Sequence, residues 1–121
     1  MNTSLAIRLA AISGFLAVAL GAFGAHGLKT TLETNGMLAV WQTGALYHLV
    51  HSVVLFTLSQ RASVARLPFA LFGTGIFLFS GSLYALAVTN VKILGFITPF
   101  GGLCLLGGWL ALALKPASPP N

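Results

Sequence analysis

The sequence predicts an all-α integral membrane bundle of four transmembrane helices, at about 5–25, 38–60, 68–89 and 93–114, with both chain ends in the cytoplasm. Three observations carry this. Four apolar stretches (Leu5–Ala25, Leu38–Gln60, Pro68–Thr89 and Ile93–Leu114) each reach the roughly 20 residues that take a helix across about 30 Å of hydrocarbon. Hydrophobic residues make up 57% of the 121-residue chain and charged residues only 6%, against roughly 25% charged in a soluble domain, so lipid must solvate most of the surface. The apolar runs are also continuous, not alternating, which excludes a β-barrel.

Within the first helix, Arg8 precedes the apolar run. That run from Leu9 to Ala25 is long for the core of a cleaved leader, so it is expected to stay as a crossing. Ala6, Ala10, Ser13, Ala17, Gly21 and Gly24 recur every three or four residues and form a smooth stripe suited to close helix packing. The connection from His26 to Met37 is the longest and holds the sole acidic residue, Glu33. His26 and Glu33 make a candidate external-loop site.

The second helix carries the polar stripe. At about 100° per residue, Gly44, Tyr47, His48, His51, Ser52 and Ser59 fall within less than half of the wheel, and this arc is expected to face the bundle. An imidazole at bilayer mid-depth is costly unless paired, so His48 and His51 are the leading suspects for function. With Tyr47, Ser52, Ser80 and Tyr84 they form a candidate intramembrane polar site.

Pro68 lies in the first turn of the third helix, where its missing N–H does no harm. Gly73, Ser80, Gly81 and Tyr84 gather on one side of that helix. Asn90-Val91-Lys92 leaves room only for a tight turn, making helices three and four an antiparallel hairpin. The fourth helix repeats the small-residue device with Thr98, Gly101, Cys104 and Gly108. A single domain is expected over 1–115, followed by a proline-rich, disordered tail at 116–121.

Orientation follows from the basic residues. Arg8, Arg61, Arg66 and Lys115 fall on one side of the membrane, Lys29 and Lys92 on the other, which puts both termini inside. Trp41 and Trp109 are then expected at opposite interfaces as anchors. The net charge of +5 comes from basic residues spread singly near helix ends, not clustered as in a nucleic-acid binder. Cys104 stands alone and forms no internal disulfide.

Several chemistries drop out. The four stretches contain no Asp or Glu, so cation exchange through an embedded acid, paired-carboxylate hydrolysis and a Ser-His-Asp triad all lack a part. Two His at i and i+3 could touch one ion, but a closed zinc site needs a tetrahedral ligand set. Haem would need an axial ligand on a second helix.

Gly21-Ala22-Phe23-Gly24-Ala25-His26-Gly27-Leu28, Tyr47-His48-Leu49-Val50-His51, Phe79-Ser80-Gly81-Ser82-Leu83-Tyr84, and Ile97-Thr98-Pro99-Phe100-Gly101-Gly102 followed by Gly108-Trp109 together form a distinctive set. From about Ala10 to Leu114 the chain resembles the small YgdD/YwdK-like bacterial membrane proteins, a family of unknown function with relatives among eukaryotic four-helix membrane proteins. The resemblance implies four helices and a bacterial inner-membrane setting. It marks His26, His51, Ser80, Ser82, Tyr84, Thr98 and Pro99 as matching the family pattern, and implies no activity, substrate or cofactor.

The expectation is therefore a multi-pass inner-membrane protein that is not an enzyme and binds no metal or cofactor. Its expected role is structural or accessory, with the bilayer and a second copy or another membrane protein as partners, and no nucleic acid. The rival expectations are a small-solute transporter or channel lined by His48, His51, Tyr47 and Tyr84, and metal or haem handling.

Overall fold

The computed structural model describes residues 1–115, and the proline-rich tail at 116–121 lies outside them. Four helices are long and apolar enough to cross a membrane: Thr3–Ala25, Leu38–Ser59, Arg66–Thr89 and Lys92–Leu114. No strand occurs among the described residues.

Helix α1 (Thr3–Ala25) starts under Asn2, whose side-chain oxygen accepts from the Ser4 amide at 2.7 Å and the Leu5 amide at 3.4 Å. These two donors would otherwise be orphaned at the helix start. The connection read as a loop contains a short helix, α2 (Lys29–Asn35), closed by Gly36 in the left-handed conformation (φ 67°). Leu32 on α2 is fully buried, in one cluster with Trp41 and Ala87. The Asn35 amide then donates to the carbonyls of Ala87 and Val88, at 2.9 and 3.1 Å. Those carbonyls belong to the last turn of another helix, where no intrahelical donor remains. Thus α2 is pinned to the bundle.

Helix α3 (Leu38–Ser59) is the hub, packed against α1 on one side and the third crossing on the other. The third crossing has three parts: α4 (Arg66–Gly75), a π-helical segment (Ile76–Ser80) and α5 (Gly81–Thr89). Asn90, left-handed at φ 57°, turns the chain into a 3₁₀ segment (Lys92–Phe96) that leads to α6 (Thr98–Leu114).

The π segment corrects one expectation. On a regular helix Gly75 and Ser80, five residues apart, would point well away from each other at about 100° per residue. The wider i→i+5 turn brings both to the interior. A Cβ on Gly75 would collide with Leu105, and the Ser80 hydroxyl donates to the Gly44 carbonyl at 2.7 Å. The same change of phase takes Gly73 off the face of Ser80 and Tyr84, and Gly81 is open as well, since a Cβ on either would meet nothing within 4 Å. Gly21 is likewise open, although it lies on the expected small stripe of α1.

Elsewhere the small residues do pack. Gly24 abuts the Trp41 indole, Gly101 the Phe79 backbone and Gly108 the Phe72 ring. Ala17 is buried in the α1 interface. The interior has three zones along the membrane normal. Ala6, Ala10, Leu55, Leu58, Phe69 and Phe72 belong to an apolar cluster at the end that holds the start of α1 and the end of α6. Leu32, Trp41 and Ala87 fill the opposite end. Polar side chains occupy the middle.

Candidate functional site

The middle zone is built on α3, whose unbroken helical phase presents Gly44, His48, His51 and Ser52 inward, all buried. The Ser52 hydroxyl folds back to the His48 carbonyl at 2.7 Å. Its oxygen then accepts from the Ser13 hydroxyl of α1 at 2.6 Å, because the Ser52 proton is already committed. His48 Nδ1 meets the Tyr84 hydroxyl of α5 at 2.9 Å. With Ser80 on the Gly44 carbonyl, these bonds join α1, α3 and the third crossing in one polar layer.

His51 faces a different neighbour. Its Nδ1 lies 2.7 Å from the Tyr47 carbonyl one turn earlier, and its Nε2 lies 3.1 Å from Nε1 of Trp109 on α6. Phe72 packs against both rings, at centroid distances of 5.7 Å from His51 and 5.2 Å from Trp109. The backbones of α3 and α6 do not run side by side among the described residues, so these side chains span the gap.

Tyr47 departs from the inward-facing arc. It is 42% exposed, with its ring 4.7 Å from Phe79 and 5.9 Å from His51 between centroids. It borders a groove of about 320 Å³ between α3 and α6, lined also by His51, Phe79, Gly102, Leu105, Leu106 and Trp109. Ser59, the last member of the arc, bonds locally to the Phe56 carbonyl at 2.6 Å.

Trp41 is a buried strut instead of an interfacial anchor, whereas Trp109 stays half exposed. Trp41 is 3% exposed and donates its indole N–H to the Leu20 carbonyl at 2.9 Å, its ring tilted against Tyr84 at 4.6 Å between centroids. An indole N–H is a donor that must find an acceptor once buried, and this demand outweighs the interfacial preference. Trp109, though exposed on one side, also donates its indole N–H across the bundle, to His51. Asn35 was given no role by the sequence, and Phe79 only a place in a family motif, although Leu28 and Leu32 at i and i+4 were a usable sign of α2.

The structure does not bring His26 and Glu33 together. Glu33 approaches Lys29 at 4.0 Å, both largely exposed, and His26 is exposed at the end of α1. Such an exposed i,i+4 pair contributes little to stability. No group of three or more His, Cys, Asp or Glu that could hold a metal occurs among the described residues. Both ring nitrogens of His51 are engaged, so ligation there would first have to break a helix-bridging bond. Ser82 and Thr98 share a 2.6 Å hydrogen bond that closes the hairpin between α5 and α6.

Comparison with known proteins agrees with this architecture. The chain is similar to the UPF0382 membrane protein YwdK of Bacillus subtilis (strain 168), 45% identical over 115 residues, which cover 89% of this chain and 92% of the relative. It is 42% identical over 111 residues to a UPF0382 membrane protein of Haemophilus influenzae, covering 88% and 89% of the two chains. It is 40% identical over 114 residues to the UPF0382 inner membrane protein YgdD of Escherichia coli (strain K12), covering 90% and 86%. No solved structure matches significantly. Residues 20–102 match the family described as "Protein of unknown function (DUF423)", a span that takes in α2, α3, the whole third crossing and the start of α6. With that match and relatives aligned over nearly its whole length, the chain belongs to the DUF423 family of multi-pass membrane proteins.

Proposed function

We propose that this protein is a non-enzymatic accessory component of the bacterial inner membrane, with both termini in the cytoplasm, working as a rigid unit that associates with a second copy or another membrane protein. The observation that carries this reading is the closure of the polar layer. His48, His51, Ser13, Ser52, Ser80 and Tyr84 are engaged with partners inside the fold. In hydrocarbon such bonds act as glue that fixes helix register. The name inner membrane protein borne by YgdD supports the location, and the family description states no reaction.

The outer surface supports association. Phe15 and Val18 of α1 are strongly exposed, and Gly14 and Gly21 leave open hollows beside them. Mild crosslinking in native membranes, followed by purification, is expected to yield one reproducible adduct, either a dimer or a discrete hetero-complex. Recovery of a lone monomer from native-like lipid would count against the proposal. His51→Ala is expected to lower the unfolding midpoint without abolishing any ion or solute flux in proteoliposomes.

A further inference from the structure

We infer that the groove between α3 and α6 binds the ring of a lipid-soluble quinone, with the Tyr47 hydroxyl donating to a quinone carbonyl. Tyr47 lies nine residues into α3, roughly 14 Å along the axis at 1.5 Å per residue, deeper than its side chain can span back to the headgroups. Its side chain is 42% exposed, and its hydroxyl takes part in no hydrogen bond among the described residues. A serine or threonine in this position could turn onto a carbonyl of its own helix, but the rigid phenol cannot. The ring is also held in place, packed on Phe79 and nearly parallel to the His51 imidazole at an interplanar angle of 18°. The phenol that borders the groove therefore carries a donor at a depth where an unmet polar group costs several kcal/mol.

The occupant must supply an acceptor inside hydrocarbon. Acyl chains have none, and phospholipid ester carbonyls lie at the headgroup boundary. A quinone carries carbonyl acceptors on a flat ring, and its alkyl or isoprenoid tail partitions to this depth. The walls suit such a ring. Phe79 and Trp109 offer aromatic surface, Leu105 and Leu106 offer aliphatic surface, and Gly102 leaves the α6 backbone bare. The volume of about 320 Å³ falls in the range of small-molecule sites. A second hollow of about 210 Å³ beside Leu46 and Val50 shares Tyr47 and His51 with the first and gives room for a tail. The π segment that positions Phe79 is a type of irregularity often found at functional sites. The inference concerns reversible binding and extends beyond the accessory role.

The test uses the full chain in nanodiscs of defined phospholipid, titrated with a decyl-substituted benzoquinone that quenches indole fluorescence. Quenching is expected to saturate. Tyr47→Phe, which removes only the hydroxyl, is expected to weaken the saturable phase about tenfold. Gly102→Leu, which fills the groove, is expected to abolish that phase and leave a linear partition background. A Cβ on Gly102 meets only the Phe79 ring, at 3.8 Å and beyond, so the substitution begins without a backbone clash. Unfolding midpoints near that of the parent verify both variants. Linear quenching of equal slope in all three proteins would overturn the inference. So would complete crosslinking of Leu106→Cys between two copies in lipid, which would put a second copy in the groove.

Discussion

Trp109 donates its indole N–H to Nε2 of His51 at 3.1 Å, while Nδ1 of the same ring lies 2.7 Å from the Tyr47 carbonyl. An indole N–H can only donate and a carbonyl can only accept, so the imidazole is the neutral, Nδ1-protonated tautomer. The ring is a fixed two-sided link between α3 and α6. Trp109→Phe keeps most of the ring volume but leaves Nε2 without a donor. It is expected to cost about 1–2 kcal/mol, read as a lower unfolding midpoint in mixed micelles. Nitrogen NMR on histidine-labelled protein is expected to show the Nδ1–H pattern for His51 in the parent. The Nε2–H pattern there would reverse the assignment.

The glycines separate into two groups with opposite expected responses. A Cβ on Gly101 would strike the backbone of Phe79, which no rotamer change can move aside, and one on Gly24 would strike the Trp41 indole. Alanine at either position is expected to cost about 1–3 kcal/mol. Gly14 and Gly21 have nothing within 4 Å of the added atom, so alanine there is expected to change stability by less than about 0.5 kcal/mol. Equal losses at all four positions would mean that the α1 hollows are filled by another chain.

Asn35 joins a seven-residue helix to the end of α5 through the Ala87 and Val88 carbonyls. Replacing it with alanine removes both bonds at once, at an expected cost of about 1 kcal/mol. The effect should be local. Hydrogen exchange is expected to speed up across α2 and the last turn of α5 while α3 and α6 keep their protection. A uniform rise through the bundle would assign Asn35 a global role instead.

How much of this was legible depends on whether helical phase held. In α3 nothing interrupts the 3.6-residue period, so Gly44, His48, His51 and Ser52 were placed on one inward arc directly from their spacing. In the third crossing the π turn inserts a change of phase that composition does not announce. Gly73 and Tyr84 therefore looked like neighbours on one face, whereas only Tyr84 packs. Trp41 misled for a different reason. Position near a helix end suggested an anchor, but the decisive constraint was the buried indole donor, whose acceptor (the Leu20 carbonyl) lies on another helix, as His51 does for Trp109. Partners of that kind are set by tertiary packing and leave little trace in local sequence.

Orientation is the last expectation open to direct measurement. The end of the bundle that gathers the start of α1, the end of α3, the start of α4 and the end of α6 carries Arg8, Arg61, Arg66 and Lys115, while the other end carries Lys29 and Lys92. The bias favours the first end in the cytoplasm. In a Cys104→Ser background, single cysteines at Thr31, Ala62 and Lys115 can be probed with an impermeant maleimide. Thr31→Cys is expected to react in intact cells, because residue 31 is an exposed position on α2. Ala62→Cys and Lys115→Cys are expected to react only after permeabilisation. The reverse pattern would invert the bundle and move α2 to the cytoplasmic face. It would leave the His51–Trp109 link untouched, since that link depends on helix packing and not on which side faces in.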